Sequence, residues 1–129
     1  MNRAAILQLR DAVNATGTLD ATAACDNLAA VAPAASVQLL PGDRWAKRYV
    51  NDTGAHEQPF AVNYRVGGAN TSERVDAAAA LSALADALEA GNPHAFGRIT
   101  GTDTPSLVER DDHGQETWRV TFVLESDVR

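Results

Sequence analysis

The stretch Asn70 to Pro93, NTSERVDAAAALSALADALEAGNP, has the clearest periodicity in this chain and decides its fold. Four apolar residues recur at the spacing that places side chains on one face of a helix: Ala77, Leu81, Leu84 and Leu88. Four polar residues fall on the opposite arc: Asp76, Ser82, Asp86 and Glu89. Because the apolar stripe is narrow, we predict a helix over about residues 72–90 that lies with one face on an apolar surface.

Local signals mark both ends of this helix. Asn70, Thr71 or Ser72 is expected to cap its first turn with a side-chain oxygen. Gly91 stands where a left-handed residue commonly ends a helix, and Pro93 prevents the helix from continuing. We therefore expect Gly91 to have a positive φ.

Alternating apolar and polar residues before and after the helix predict the β-sheet that supplies the apolar surface. The predicted strands are Ser36 to Leu40, Arg44 to Val50, Pro59 to Val66, Ala95 to Thr100, Leu107 to Arg110 and Glu116 to Leu124. The polar segment Asn51 to Gln58 is predicted to be a loop, and Asp111 to Gly114 the four-residue loop of a β-hairpin.

The N-terminal third is less regular. Asn2 to Ala15 reads as a first helix with an apolar stripe of Ile6, Leu9 and Val13, ended by Gly17. Thr18 to Ala35 is compatible either with a short second helix or with an irregular segment that covers the core.

The pattern as a whole predicts an α+β fold in one domain, residues 1–129. An antiparallel sheet of four to five strands is covered by the long helix, and the N-terminal helix packs at its side or back. Residues 1–35 form the helical N-terminal segment and residues 36–129 the sheet-plus-helix core.

Charge, hydropathy and cysteine content exclude several function classes. A net charge of −6 argues against a surface that binds nucleic acid by neutralising phosphates. No apolar run approaches the roughly 20 residues of a membrane span, and Arg10 and Asp11 interrupt any signal-peptide core. With Cys25 as its one cysteine, the chain has no internal disulfide and fits a reducing, cytosolic compartment.

Residues with catalytic potential do not combine into a recognisable active site. His56, His94 and His113 are not paired at metal-ligand spacing, and Cys25 reads as a small buried residue. Asp111, Asp112 and His113 together are typical of a solvated turn. We therefore predict a protein that is not an enzyme and that has no metal and no cofactor.

The loop Gly67 to Thr71 joins a strand to a helix N-terminus, where backbone N–H groups can hold an anion. It lacks the glycine spacing and the lysine of a phosphate loop, so a plain turn is favoured. An anion site there defines the alternative function, a small ligand-binding or regulatory domain.

Two segments have the composition of surfaces that bind other proteins. The first is an arm that mixes aromatic and charged residues, a composition found at interface hot spots and equally in half-buried strands. Its candidate interface residues are Arg44, Trp45, Lys47, Arg48, Tyr49, His56 and Glu57. Simple alternation places Trp45, Lys47 and Tyr49 on one side of this strand.

The second segment is the predicted hairpin loop, which is rich in acidic residues. Its candidates for an acidic rim or a lumen-facing loop are Glu109, Asp111, Asp112 and Glu116. A solvated hairpin tip is the simpler interpretation of the same residues.

The order of these elements resembles the tail terminator proteins of long-tailed bacteriophages, also called minor capsid or tail completion proteins. The resemblance rests on four segments: Leu39-Leu40-Pro41-Gly42, Pro59 to Arg65, the polar hairpin Glu109 to Gly114, and the last strand from Trp118 to Phe122. It covers residues 36–125 well and the N-terminal third loosely.

This resemblance implies a structural protein of the virion, located at the head-proximal end of the tail. Such proteins form a ring, typically a hexamer, that caps the tail-tube protein, ends tube growth and receives the head–tail connector protein. DNA passes through the ring without being specifically bound. Another small virion subunit, such as a tube or head-completion protein, belongs to the same class.

Overall fold

The computed structural model describes residues 3–19, 21–25, 28, 33–41, 44–48, 54–67, 71–92, 94, 97–112 and 114–128. Two helices and seven strands follow one another within these described residues. They are α1 (Arg3–Thr16), β1 (Ala23–Cys25), β2 (Ala34–Leu39), β3 (Arg44–Arg48), β4 (Gly54–Val66), α2 (Thr71–Ala90), β5 (Arg98–Gly101), β6 (Ser106–Arg110) and β7 (Glu116–Val128). The α+β class and the long helix are therefore confirmed.

All seven strands belong to one sheet, so the expected four to five strands was too few. Its main path runs β1-β2-β4-β7-β5, while β3 also pairs with β4 and β6 also pairs with β7. The pairs are antiparallel, except that β1 runs parallel to β2. The thirteen-residue strands β4 and β7 pair along their full length and form the centre of the sheet.

Within Thr18 to Ala35, where the sequence was compatible with a helix or an irregular segment, Ala23–Cys25 forms the strand β1 and Ala34 begins β2, while residues 20, 26–27 and 29–32 lie outside the described residues. The three residues of β1, Ala-Ala-Cys, are too few and too small to show alternation. The N-terminal segment therefore contributes a strand as well as a helix. The strand β4 also begins earlier than expected, at Gly54, so Gly54 to Gln58 is strand and not loop. At the other end, β7 extends past Leu124 to Val128.

Both helices lie on the same face of the sheet. The helix α2 crosses β4, β7 and β5, and α1 packs beside α2 over β1 and β2. The predicted stripe of α2 is buried, since Leu81 and Leu84 are fully inaccessible to solvent. Phe60 and Phe122, opposite each other on β4 and β7, stack beneath with ring centroids 5.1 Å apart. One hydrophobic core thus joins both helices to the sheet.

The opposite face of the sheet is built from polar side chains and carries neither helix. Asn63 is buried at its centre and donates to Ser36 Oγ at 3.3 Å and to Gln38 Oε1 at 3.2 Å. Arg119 Nε donates to Asn63 Oδ1 at 2.8 Å. Because each polar group has a partner, this face is ordered without an apolar layer above it.

At the end of α2, Gly91 does not have the positive φ that the sequence predicted for it. A Cβ at residue 91 would lie 2.9 Å from Cε1 of His94, so a larger residue here would displace the imidazole ring. The His94 ring packs there with Nε2 2.8 Å from the carbonyl oxygen of Leu88. The last turn is therefore closed by a side chain from beyond the helix.

The structure contains no helix, among the residues it describes, that is long and apolar enough to cross a membrane.

Candidate assembly surfaces

The two predicted partner surfaces lie at diagonally opposite corners of the sheet. The strand β3 pairs with the first part of β4, from Gly54 to Glu57. The strand β6 pairs with the first part of β7, from Glu116 to Arg119, which is aligned with the end of β4. Because β3 and β6 also flank opposite sides of the central pair, one subunit presents two distinct edges that face away from each other.

The first surface is a two-stranded arm, which we define as β3 together with residues 54–57 of β4. Backbone register places Arg44 opposite Glu57 and Trp45 opposite His56, so predicted interface residues from two separate segments become neighbours. Tyr49, another of the seven candidates, lies outside the described residues. His56 and Glu57 are half-buried on a strand, where the sequence predicted a loop.

A register shift between Trp45 and Lys47 breaks the alternation predicted for this arm. Lys47 is opposite Ala55 and Trp45 is opposite His56, and these two residues are consecutive on β4. Trp45 and Lys47 therefore do not occupy equivalent positions of the sheet, contrary to the expectation from simple alternation. The bulge cannot be read from local sequence, because the pairing partner sets the register.

The second surface is the acidic hairpin, which we define as β6 with the turn at residues 111–115. The N–H of Asp111 donates to Gln115 O at 2.9 Å, and Gly114, with φ of 82°, returns its N–H to Asp111 O. The Asp111 carboxylate accepts from the Gln115 backbone at 2.9 Å and from its side-chain amide at 2.8 Å. Asp111 thus shapes the turn, which includes Gln115 and exceeds the predicted four residues.

Glu116 does not lie on the exposed rim where the sequence placed it. Its side chain is completely buried, and Oε2 accepts hydrogen bonds from Nε (2.9 Å) and Nη2 of Arg110. This ion pair stabilises the base of the hairpin, and the carboxylate of Glu116 compensates the positive charge of Arg110. The acidic residues left at the surface of the hairpin are Glu109 and Asp112, both exposed, together with the half-buried Asp111.

Two apolar side chains on β6 are exposed, which the sequence reasoning missed. The side chains of Leu107 and Val108 are 42% and 47% accessible to solvent. Within the described part of the chain, these are the large hydrophobic residues that are exposed. A register shift between Leu107 and Glu109 makes Val108 the extra residue of a bulge. The signal in the sequence was the pair of adjacent apolar residues, which cannot both face the same core from one strand.

The outer edges of β1 and β5 are occupied by asparagine side chains. Asn92 Oδ1 accepts from the N–H of Ile99, and its Nδ2 donates to Ile99 O, both at 2.8 Å. At the far side of the sheet, Asn14 makes the same pair of bonds with Ala23, at 2.7 and 3.4 Å. Each amide takes the place of one residue of a neighbouring strand, so another chain cannot pair there.

Other chemically active residues do not form a site. His94 serves the end of α2, and Cys25 is a half-buried free thiol at the end of β1. His113 lies outside the described residues, and so does most of the candidate anion loop, Gly68 to Asn70. No cluster of three metal-ligating residues occurs in the described part of the chain. A groove of about 320 Å³ beside the end of α1 is lined by Asn14, whose amide is already bonded to Ala23.

Comparison with known proteins finds a likeness of fold but none of sequence family. No protein family matches the sequence, and no curated protein matches it. Among solved structures, the fold is similar to that of a chain from a structure titled "Virion of native gene transfer agent (GTA) particle". The alignment covers 96% of this chain and 90% of that chain, with a TM-score of 0.56 and 13% sequence identity. At this identity the likeness concerns the fold, which extends over nearly the whole of both chains.

Proposed function

We propose that this protein is a structural component of a phage-like virion. The observation that carries the proposal is the fold likeness to a virion chain over nearly the full length of both proteins. The described residues add no grouping of side chains that calls for catalysis, and the features that stand out are surfaces. A structural role needs no cofactor, and its energetics are those of contacts between subunits.

Within that class we propose the tail terminator role: a ring that caps the tail tube, ends its polymerisation and receives the head–tail connector. The order of elements supports this role, with the polar hairpin and the last strand following the long helix as in that family. Two different edges at opposite corners of one subunit are suited to head-to-tail contacts, which close into a ring when the rotation between copies is right. The net charge of −6 suits a channel through which DNA slides without binding.

Negative-stain electron microscopy of the purified protein, alone and with its cognate tail-tube protein, tests the proposal. We expect closed rings with a central hole, either free or seated on tube ends, and tubes that stop growing once capped. A protein that stays monomeric under both conditions, while tubes grow to uncontrolled lengths, contradicts the tail terminator role.

A second measurement separates the terminator from other virion subunits. Added to growing tubes at substoichiometric amounts, a terminator should block the end of each tube without entering its wall. If the protein is instead incorporated along the tube, it is a tube subunit, and the broader proposal of a virion component stands.

A further inference from the structure

We propose that the acidic hairpin of one copy docks against the β3–β4 arm of the next copy, through side chains and not by continuing the sheet. This inference rests on the proposed function, because it specifies which surfaces meet when copies of the chain assemble into a ring. The partner that contacts the acidic hairpin is therefore a second copy of this chain.

The hairpin has the anatomy of a small docking surface. Leu107 and Val108 expose apolar side chains side by side on β6, a strand whose five residues are all exposed. Glu109, whose side chain is 60% exposed with Oε1 4.0 Å from Nη2 of Arg65, and the exposed Asp112 flank them. An apolar centre with a charged rim is the usual organisation of a protein–protein interface.

The arm has the complementary charge. Its outer strand, β3, includes Arg44, Lys47 and Arg48 among five residues. The one acidic residue of the arm is Glu57 of β4, opposite Arg44, so the arm is basic on balance. On the hairpin, the one basic residue, Arg110, is paired with the buried Glu116, so that the outward charge is acidic. Opposite charges on the two edges favour contact between unlike edges and disfavour contact between two hairpins or two arms.

The other edges of the sheet are unsuitable for this contact. The outer N–H and C=O of Ala23 on β1 and of Ile99 on β5 are bonded to Asn14 and Asn92, which blocks strand pairing at those residues. The strands β3 and β6 each contain a bulge, which interrupts the regular row of N–H and C=O groups that an added strand would need. A continuous ladder of backbone hydrogen bonds to a neighbouring copy is therefore disfavoured at these two edges.

The diagonal placement of the arm and the hairpin makes the contact heterologous. Each copy offers its hairpin to one neighbour and its arm to the other, so no pair of copies satisfies both edges. Contacts of this kind produce rings or open filaments and not closed dimers.

Charge reversal tests the docking directly. One variant, Glu109→Lys/Asp112→Lys, makes the hairpin basic, and a second, Lys47→Glu/Arg48→Glu, makes the arm acidic. We expect each alone to weaken assembly at least about tenfold, because like charges then face each other across every contact. Mass photometry or sedimentation velocity, at a concentration where the unmodified chain forms rings, measures the loss.

Restoration distinguishes a direct contact from damage to the fold. A chain with both pairs of reversals should form rings again, since each basic hairpin then meets an acidic arm. An equal mixture of the two single-surface variants should also assemble into even-numbered rings. The matched control is Asp76→Lys/Asp86→Lys, which changes charge equally on the exposed arc of α2 and should leave assembly unchanged.

A second variant keeps the proposal testable if a charge reversal impairs folding. Leu107→Ser/Val108→Ser removes only exposed side chains, so thermal unfolding should shift little while ring formation falls.

The outcomes separate the two proposals. If the unmodified chain forms rings and the reversals leave them intact, or neither combination restores assembly, this docking is wrong while the ring-forming role stands. If the unmodified chain forms no rings, alone or with tube protein, the tail terminator role fails, and the docking fails with it.

Discussion

The strands β1 and β5 carry asparagine side chains on their outer edges, whereas β3 and β6 each contain a bulge and β6 exposes apolar side chains. Asn14 and Asn92 satisfy backbone groups of Ala23 and Ile99 that would otherwise be open to another chain. The hairpin of β6 is held differently, by an ion pair buried at its base. The comparison shows that one sheet combines edges closed at one residue by an asparagine with bulged edges that we propose for contact with other subunits.

The largest effect is expected when the ion pair under the hairpin is broken. Arg110→Ala removes the cation that pairs with Oε2 of the buried Glu116, and we expect a loss of about 3 kcal/mol in the free energy of unfolding, the lower end for a buried pair because Arg110 is half-exposed. Urea denaturation measures this loss. Arg110→Ala/Glu116→Gln removes the charge as well and should recover part of the stability. A loss from Arg110→Ala below about 1 kcal/mol, the range of a surface pair, would show that the ion pair does not hold the hairpin.

Removing the asparagine that seals β5 should have the next largest effect. Asn92→Ala leaves the N–H and C=O of the buried Ile99 unpaired, and we expect a cost of about 2 kcal/mol. Hydrogen exchange should show faster exchange of the Ile99 amide. Asn92→Asp is the matched control for the Ile99 amide, because its carboxylate still accepts from Ile99 N–H, although its second oxygen then faces Ile99 O and is repelled by it. Unchanged exchange in Asn92→Ala would contradict the sealing role.

The seal on β1 is expected to contribute less. One of the two bonds from Asn14 is long, at 3.4 Å, so Asn14→Ala should cost about 1 kcal/mol, with faster exchange at the Ala23 amide. Since Asn14 and Asn92 act at opposite ends of the main path, their costs should add in the double variant. A marked departure from additivity would mean that the two edges are coupled through the core.

The smallest effect is expected at the exposed bond that continues the seal on β5. Glu89 Oε1 accepts from the N–H of Gly101 at 3.0 Å, and water can replace this partner at the surface. Glu89→Ala should therefore cost about 0.5 kcal/mol, at the lower limit for a hydrogen bond. Glu89→Gln keeps the acceptor and should be neutral. A cost comparable to that of Asn92→Ala would show that Glu89 is the principal seal.

Sequence periodicity was reliable wherever one face of an element packs on the core. Leu81, Leu84 and Leu88 are buried at helical spacing, and Val120, Phe122 and Leu124 are buried at alternate positions of β7, as predicted. Buried residues recur with the period of the helix or the strand, so a long pattern identifies the type of element. The three-residue strand β1 offered no such pattern and was missed.

The candidate surfaces were predicted in composition but not in detail. The arm and the hairpin both exist as paired strands, yet Glu116 belongs to the interior and Leu107 and Val108 to the surface. Acidic residues near a turn look alike in sequence, and only the position of Arg110 beside Glu116 distinguishes a buried carboxylate from a solvated one. Whether either surface binds another subunit stays a prediction.

The local pattern was thus sufficient to predict a helix packed on a sheet, because the spacing of apolar residues indicates which side of an element is buried. Contacts between residues far apart in the chain settled the rest. Asn63 meets Ser36 and Arg119 meets Gln38 across strands that the chain reaches at very different points, and Asn92 reaches β5 only because α2 ends beside it. Such pairings depend on strand order and register, which no stretch of neighbouring residues specifies.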